Sequence, residues 1–264
     1  MSLDSKIMKP KSFTPEIWTA IEKATDMALE EAKTLKQVPV AAFDADGTLW
    51  NTDLGESFFK YQIKNCKLKA FESINEDPWT YYRRWKESGD PRPAYLWLAQ
   101  INEGHDIEEI RSWARTNVDQ MSPLPIFEPQ HDLIKYLIDR GVEVFVVTAS
   151  VKWSVEAGAK LLGIREANVI GVATEILAGK VTAKQQGMIT YREGKASALL
   201  EKTAGIKPFL CSGNTTGDLN LLKLATKVAL AVHSEQPEGS ELYKTELALQ
   251  NEAKANNWLR FKFV

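Results

Sequence analysis

The chain has 264 residues, 44% hydrophobic and 26% charged, a balance that suits one folded core with room for a small subdomain and excludes a low-hydropathy disordered chain. Its 33 Lys and Arg against 35 Asp and Glu leave a net charge of -2, so no global field recruits nucleic acid, and no basic tract interleaved with aromatics offers a local one. Cys66 and Cys211 lack the CxxC or paired-His spacing of a zinc site, and no apolar run reaches the ~20 residues that cross a bilayer.

The polar leader MSLDSKIMKPKSF has basic residues but no apolar h-region behind them, so the expected compartment is the cytoplasm. Thr14 followed by Pro15 reads as an N-cap with proline at the first helical position, and Ile17, Ile21, Ala24 and Met27 recur at helical spacing through Leu35. The apolar run Val38 to Phe43 is a buried strand. From Asp53 to about Phe127 no alternating strand is found; Phe58, Tyr61 and Ile63, then Tyr95, Leu98 and Ile101, then Ile107, Ile110 and Trp113 keep a helical period, punctuated by prolines.

After Gln130 helices and strands alternate. His131–Arg140 is a helix and Val142–Val147 a strand; Val155–Leu162 is a helix and Val169–Val172 a short strand. A helix ending at Glu201–Ala204 precedes Pro208–Cys211, which leads into a glycine-containing turn, then a helix at Leu219–Ala225 and a strand at Val228–Val232. Leu242–Ala255 is helical, and the apolar Trp258, Leu259, Phe261 and Phe263 suggest a closing strand. Repeated βα units predict an α/β fold with a doubly wound parallel sheet, whose sites belong at the carboxyl ends of the strands.

One such end carries Phe43-Asp44-Ala45-Asp46-Gly47-Thr48. Two carboxylates at i and i+2 on a glycine turn suit a nucleophile paired with a general acid and base. This DxDGT pattern resembles the first motif of the haloacid dehalogenase-like hydrolases, most of which are phosphatases. The resemblance implies that Asp44 becomes an aspartyl phosphate and that Asp46 protonates the leaving group and then activates water. Three later elements match in order. Thr148, in Phe145-Val146-Val147-Thr148-Ala149-Ser150, resembles the hydroxyl of the second motif, with Ser150 either at the substrate or capping the next helix. Lys195, after Gly194, resembles the charge-neutralising lysine of the third. Cys211-Ser212-Gly213-Asn214-Thr215-Thr216-Gly217-Asp218 resembles the metal-binding fourth motif, except that Asn214 stands where an acid is common.

The family's cofactor is Mg2+, and the matching positions here are Asp44, the Asp46 carbonyl, Asn214 and Asp218, the last as ligand or as orienter of a water and Lys195. The helical insert looks like the cap of the phosphoserine phosphatase-like branch. Residues 53–127 are then a cap domain, and 1–52 with 128–264 a Rossmannoid catalytic core. Asp53 and Glu56 would share a helical face at the pocket mouth, although Asp53 as N-cap and Glu56 as its capping-box partner fit the same spacing. The run Asp53-Leu54-Gly55-Glu56-Ser57 is similar to the matching segment of phosphocholine phosphatases, and the insert is rich in aromatics, with Trp153 close behind the second motif. Acids and aromatic faces suit a cationic head group. The expected partner is a small-molecule phosphate ester, phosphocholine-like first and phosphoserine second. A ligand-binding or regulatory protein weakened by Asn214 is the non-enzyme reading. Neither nucleic acid nor a membrane is an expected partner, and the sequence sets no oligomeric state.

Overall fold

The computed structural model of the protein describes residues 13–263; the polar leader ahead of Phe13 lies outside them. Helix α1 (Pro15–Leu35) is capped by Thr14, whose hydroxyl accepts from the Ile17 N–H, and buries Ile17, Trp18, Ile21, Ala24 and Ala28. Strand β1 (Val40–Phe43) is buried at all four positions. Its alternate residues face two different cores, Ala41 and Phe43 joining the α1 side and Val40 and Ala42 the opposite side, as the period-2 geometry of a central strand requires.

Four helices form the insert that follows β1: α2 (Leu54–Asn65), α3 (Pro78–Lys86), α4 (Arg92–Gln100) and α5 (Ile107–Asp119). Asp53, Asp77 and Asp106 cap α2, α3 and α5, each accepting a hydrogen bond from a first-turn N–H. Prolines open α3 and α4, so the predicted punctuation marks helix starts. The core then continues through α6 (Glu128–Asp139), β2 (Glu143–Val151), α7 (Lys152–Leu161), β3 (Val169–Leu177), β4 (Lys180–Gln186), α8 (Glu193–Lys202), β5 (Leu210–Gly213), α9 (Leu219–Leu222), β6 (Val228–His233), α10 (Glu241–Ala255) and β7 (Leu259–Lys262).

The strands form one seven-stranded sheet in the order β4-β3-β2-β1-β5-β6-β7. All neighbours are parallel except β4, which runs antiparallel to β3. The expected doubly wound parallel sheet therefore carries one antiparallel strand at its edge, which makes it mixed. β3 also runs to Leu177, past the predicted end at Val172. β4 returns through Ala178 and Gly179, both at positive φ, the geometry of a tight two-residue hairpin. Its sequence, KVTAKQQ, is mostly solvent-facing and polar, as an edge strand should be, and that polarity hides it from a hydrophobic pattern.

The chain runs outward from β1 to β4, then returns to the other side of β1 to place β5. The order reverses between β1 and β5, so the crevice of this sheet opens at their carboxyl ends. The four-helix insert is welded to the core beside it. Phe58, Phe59, Leu98 and Ile110 share one buried cluster with Val151, Trp153, Val172 and Val181. Across the same seam the Arg111 guanidinium Nε lies 3.0 Å from the buried Glu156 carboxylate of α7.

Candidate active site

Asp44 stands at the tip of β1, where its N–H donates to the Ser212 carbonyl at 2.9 Å and extends the ladder to β5 by one residue. The turn beyond it needs Gly47, which has φ +78° and lies so close to Asn214 that an added Cβ would fall 2.2 Å from Nδ2. Lys195 Nζ lies between two carboxylates, 2.5 Å from Asp44 Oδ1 and 2.6 Å from Asp218 Oδ1. Gly194 puts it there, since a Cβ at that position would meet the Ile189 carbonyl oxygen at 2.0 Å. Asp44, Lys195, Thr148, Asn214 and Asp218 are all at most 6% exposed.

Burial and then the Asp218 charge push the Asp44 carboxyl up to about 6, against the pull of Lys195. Burial alone would lower Lys195, but Asp218 and Asp44 outweigh it and hold the ammonium firmly protonated. Both Asp218 oxygens are engaged. Its Oδ1 takes Lys195, and its Oδ2 accepts from the N–H groups of Asn214 at 3.1 Å and Thr215 at 3.0 Å in a capping box. Asp218 thus orients Lys195 through Oδ1 and the Asn214–Thr215 backbone through Oδ2.

Asp46 faces the insert. Its Oδ1 accepts from Trp50 Nε1 at 2.8 Å and from the Leu54 N–H at 2.9 Å, and its Oδ2 from Ser150 Oγ at 2.6 Å. Burial raises its pKa, and these three donors oppose the rise. Ser150 is thus no helix cap; α7 starts after Val151 with no side-chain cap. Thr148 Oγ1 accepts from the Ser150 N–H at 3.0 Å, so its own hydrogen is left to donate elsewhere. Trp153, expected at the substrate, is 1% exposed within the hydrophobic cluster of the insert, where a large ring contributes most by packing.

Asp53 caps α2, its Oδ1 accepting from the Glu56 N–H at 2.7 Å. Burial, then the charges of Asp46 and Glu56, push its carboxyl up to about 7. Glu56 turns instead to Lys86 Nζ at 2.7 Å and accepts from the Tyr82 hydroxyl at 3.4 Å. The Lys86 ammonium also lies 5.7 Å from the ring centres of both Tyr82 and Tyr95, a cation held by an acid and two aromatic faces. Three arginines of the insert are engaged away from this patch: Arg83 with Glu87, Arg84 with Glu76, and Arg92 with Asp90 and Glu193.

Among the described residues no three His, Cys, Asp or Glu side chains gather at one metal position. At the fourth-motif position Asn214 contributes an amide oxygen where an acid is common. Thr48 Oγ1 is 3.0 Å from Asp44 Oδ2 and 3.2 Å from Asn214 Oδ1, and its single hydrogen can serve only one of them at a time. A buried pair of hard oxygens sharing half a donor each fits a magnesium ion, which prefers oxygen ligands and keeps several waters.

Four residues of this constellation escaped the sequence reading. Thr48 closes the first motif and Trp50 stands two residues beyond it, but neither residue type announces its partner. Lys86 and Glu246 come from distant helices and carried no local signal. Glu246, 3% exposed on α10, accepts from Asn214 Nδ2 at 3.0 Å; burial raises its pKa, and bonds from Asn214 and the Ser234 N–H oppose that.

The phosphorylcholine phosphatase of Pseudomonas aeruginosa is 25% identical over 231 residues, an alignment covering 74% of this chain and 66% of that protein, so the chain spans just under two thirds of the relative's length. A functionally uncharacterised protein from Anaerococcus prevotii has the same fold with a TM-score of 0.70 at 17% identity, over 94% of each chain. A phospho-aspartyl intermediate analogue of phosphoserine phosphatase superposes with a TM-score of 0.50 at 17% identity, over 86% of this chain and 93% of its own. The model of the haloacid dehalogenase-like hydrolases matches residues 41–223, from within β1 to just past α9, and the chain belongs to that family.

Proposed function

We propose that the protein is a Mg2+-assisted phosphomonoesterase that works through an aspartyl phosphate on Asp44. The observation that carries this reading is the buried Asp44–Lys195–Asp218 arrangement at the β1–β5 crevice, two residues from a second carboxylate. An Asp44 oxygen attacks phosphorus, the bond to the ester oxygen breaks, and the departing alkoxide takes the proton of Asp46. Asp46, now a carboxylate, removes a proton from water; the water oxygen bonds to phosphorus, and the bond to Asp44 breaks to give phosphate. Lys195 and the free Thr148 hydrogen compensate charge on the phosphoryl oxygens. Asp44, Asn214 and the Asp46 carbonyl would hold the ion, which when bound supplies further positive charge to those oxygens.

Residues 53–127 serve as the cap, which excludes water and reads the rest of the substrate. Asp53, Glu56, Tyr82 and Tyr95 favour an ammonium head group, and the resemblance to a phosphorylcholine phosphatase supports a choline-like one. A second reading has its own observation. Lys86 gives this acidic patch a cation able to receive a carboxylate, which favours a zwitterionic ester such as phosphoserine. Phosphate release from phosphocholine, phosphoethanolamine, phosphoserine and an aryl phosphate, with Asp44→Asn as control, tests the activity. Lys86→Gln separates the readings: a lower KM for phosphocholine means that the lysine occupies the seat of the substrate cation, and a higher KM for phosphoserine alone means that it receives the carboxylate. No turnover with any divalent metal would leave a binding protein.

A further inference from the structure

Glu246 is a buried carboxylate that the proposed reaction does not use. It reaches the site from α10, 32 residues beyond Asn214, and its Oε1 takes the Asn214 Nδ2 hydrogen at 3.0 Å. An asparagine amide has two ends of nearly equal shape and opposite chemistry. A carboxylate can only accept, so Glu246 selects the nitrogen end. The opposite end, Oδ1, is thereby turned toward Thr48 and, through it, toward Asp44. Gly47 completes the lock by allowing backbone to press against Nδ2, a contact that any side chain at that position would abolish.

Charge points the same way. An acid at position 214 would bring one negative charge to the cation site, and asparagine brings none. Glu246 stands directly behind Asn214, in hydrogen-bond contact with it and almost sealed from solvent. Resting on the magnesium reading above, we infer that Glu246 is a positioning residue: it fixes the Asn214 amide with its carbonyl toward the cation site and supplies from behind the charge that Asn214 lacks. The acid and the amide work as one divided ligand.

The pairing has a consequence that a merely structural glutamate would not share. Putting the common acid back at position 214 should be harmful while Glu246 is present, because the new carboxylate would face an existing one at hydrogen-bond distance. The same change should become tolerable once Glu246 is neutral. Mg2+ binding to the whole protein, measured by titration calorimetry with cooperative thermal melting as the check on folding, tests this with four chains: wild type, Glu246→Gln, Asn214→Asp and the double variant.

Glu246→Gln is expected to bind Mg2+ about tenfold more weakly, the loss typical of a disturbed outer-shell partner, and the double variant to bind more tightly than Asn214→Asp alone. Affinity in Glu246→Gln equal to wild type overturns the inference. So does an Asn214→Asp chain that binds as tightly as the double variant, a comparison that stands even if Glu246→Gln alone folds poorly. Wild-type protein that takes up no Mg2+ sinks the metal reading and this inference together, whereas wild-type uptake with no effect at Glu246 sinks only the inference.

Discussion

Replacing Asp44 by asparagine should abolish turnover and at the same time make the metal-free protein more stable. Asp44 and Asp218 share one lysine in a pocket almost without solvent, so the trio carries a net negative charge that burial penalises. An aspartate titrating normally has a pKa of 3.8, and in the fold Asp44 titrates at about 6. Each pKa unit is worth about 1.36 kcal/mol, so holding this group ionised at neutral pH costs about 3 kcal/mol. The amide of Asp44→Asn avoids that cost. Its oxygen can still accept from Lys195, and its nitrogen can donate to the Thr48 hydroxyl, which is free to turn its own hydrogen to Asn214.

The sign of the pH dependence is set by the direction of the shift. The folded chain binds this proton more tightly than the unfolded one, so wild-type stability falls as pH climbs from 3.8 through about 6 and then levels off. The variant has no such loss. The gap between the two should be small near the normal aspartate pKa and fully open by neutral pH, where a chain of this size should melt about 5 °C higher as the variant. Thermal melts in EDTA across that range measure it. A variant no more stable than wild type at neutral pH, or a gap that does not widen with pH, would refute the reasoning.

Trp50→Phe removes the indole donor from Asp46 and leaves it the Leu54 N–H and Ser150 hydroxyl; its pKa should rise further, and the basic limb of the kcat/KM profile should move to higher pH, so an unmoved limb counts against the acid role. Arg111→Met strands Glu156, which is 3% exposed, with only Lys152 at 3.5 Å. Urea unfolding should show about 2 kcal/mol lost, with Arg111→Met combined with Glu156→Gln recovering part of it. Asp53 titrates at about 7, so it gains its charge as pH rises through neutrality. The KM for a cationic phosphate ester should therefore fall over that interval, and Asp53→Asn should flatten the dependence.

The elements that position Asp44 and Asn214 were legible because each is a short apolar strand with its site residue at the next step, and Thr148 because it directly follows the apolar run of β2, although that strand continues through it to Val151. Lys195 was legible through Gly194, whose close packing on Ile189 the structure explains. β4 was not, because an edge strand facing solvent loses the alternation that marks a buried one. Glu246, Lys86 and the choice of partner by Glu56 were not, because they depend on helices meeting across distances of 26 to 32 residues. Asp53 and Glu56 show the limit most clearly. Their spacing fits a reciprocal capping box, yet Asp53 caps α2 while Glu56 swings to a lysine on α3 that no local pattern could nominate.

The hydrogen bond from the Leu54 N–H to Asp46 has a mechanical meaning. Leu54 is the first residue of α2, so the start of the insert is tied to the carboxylate proposed as the acid. Gly55 presses on Ser150, the other donor to that carboxylate, closely enough that a Cβ there would lie 2.6 Å from its hydroxyl. Any tilt of α2 therefore stretches the bond to one Asp46 oxygen and unloads the contact behind the other. The position of α2 and the aim of the Asp46 carboxylate are coupled through two contacts, one on each oxygen.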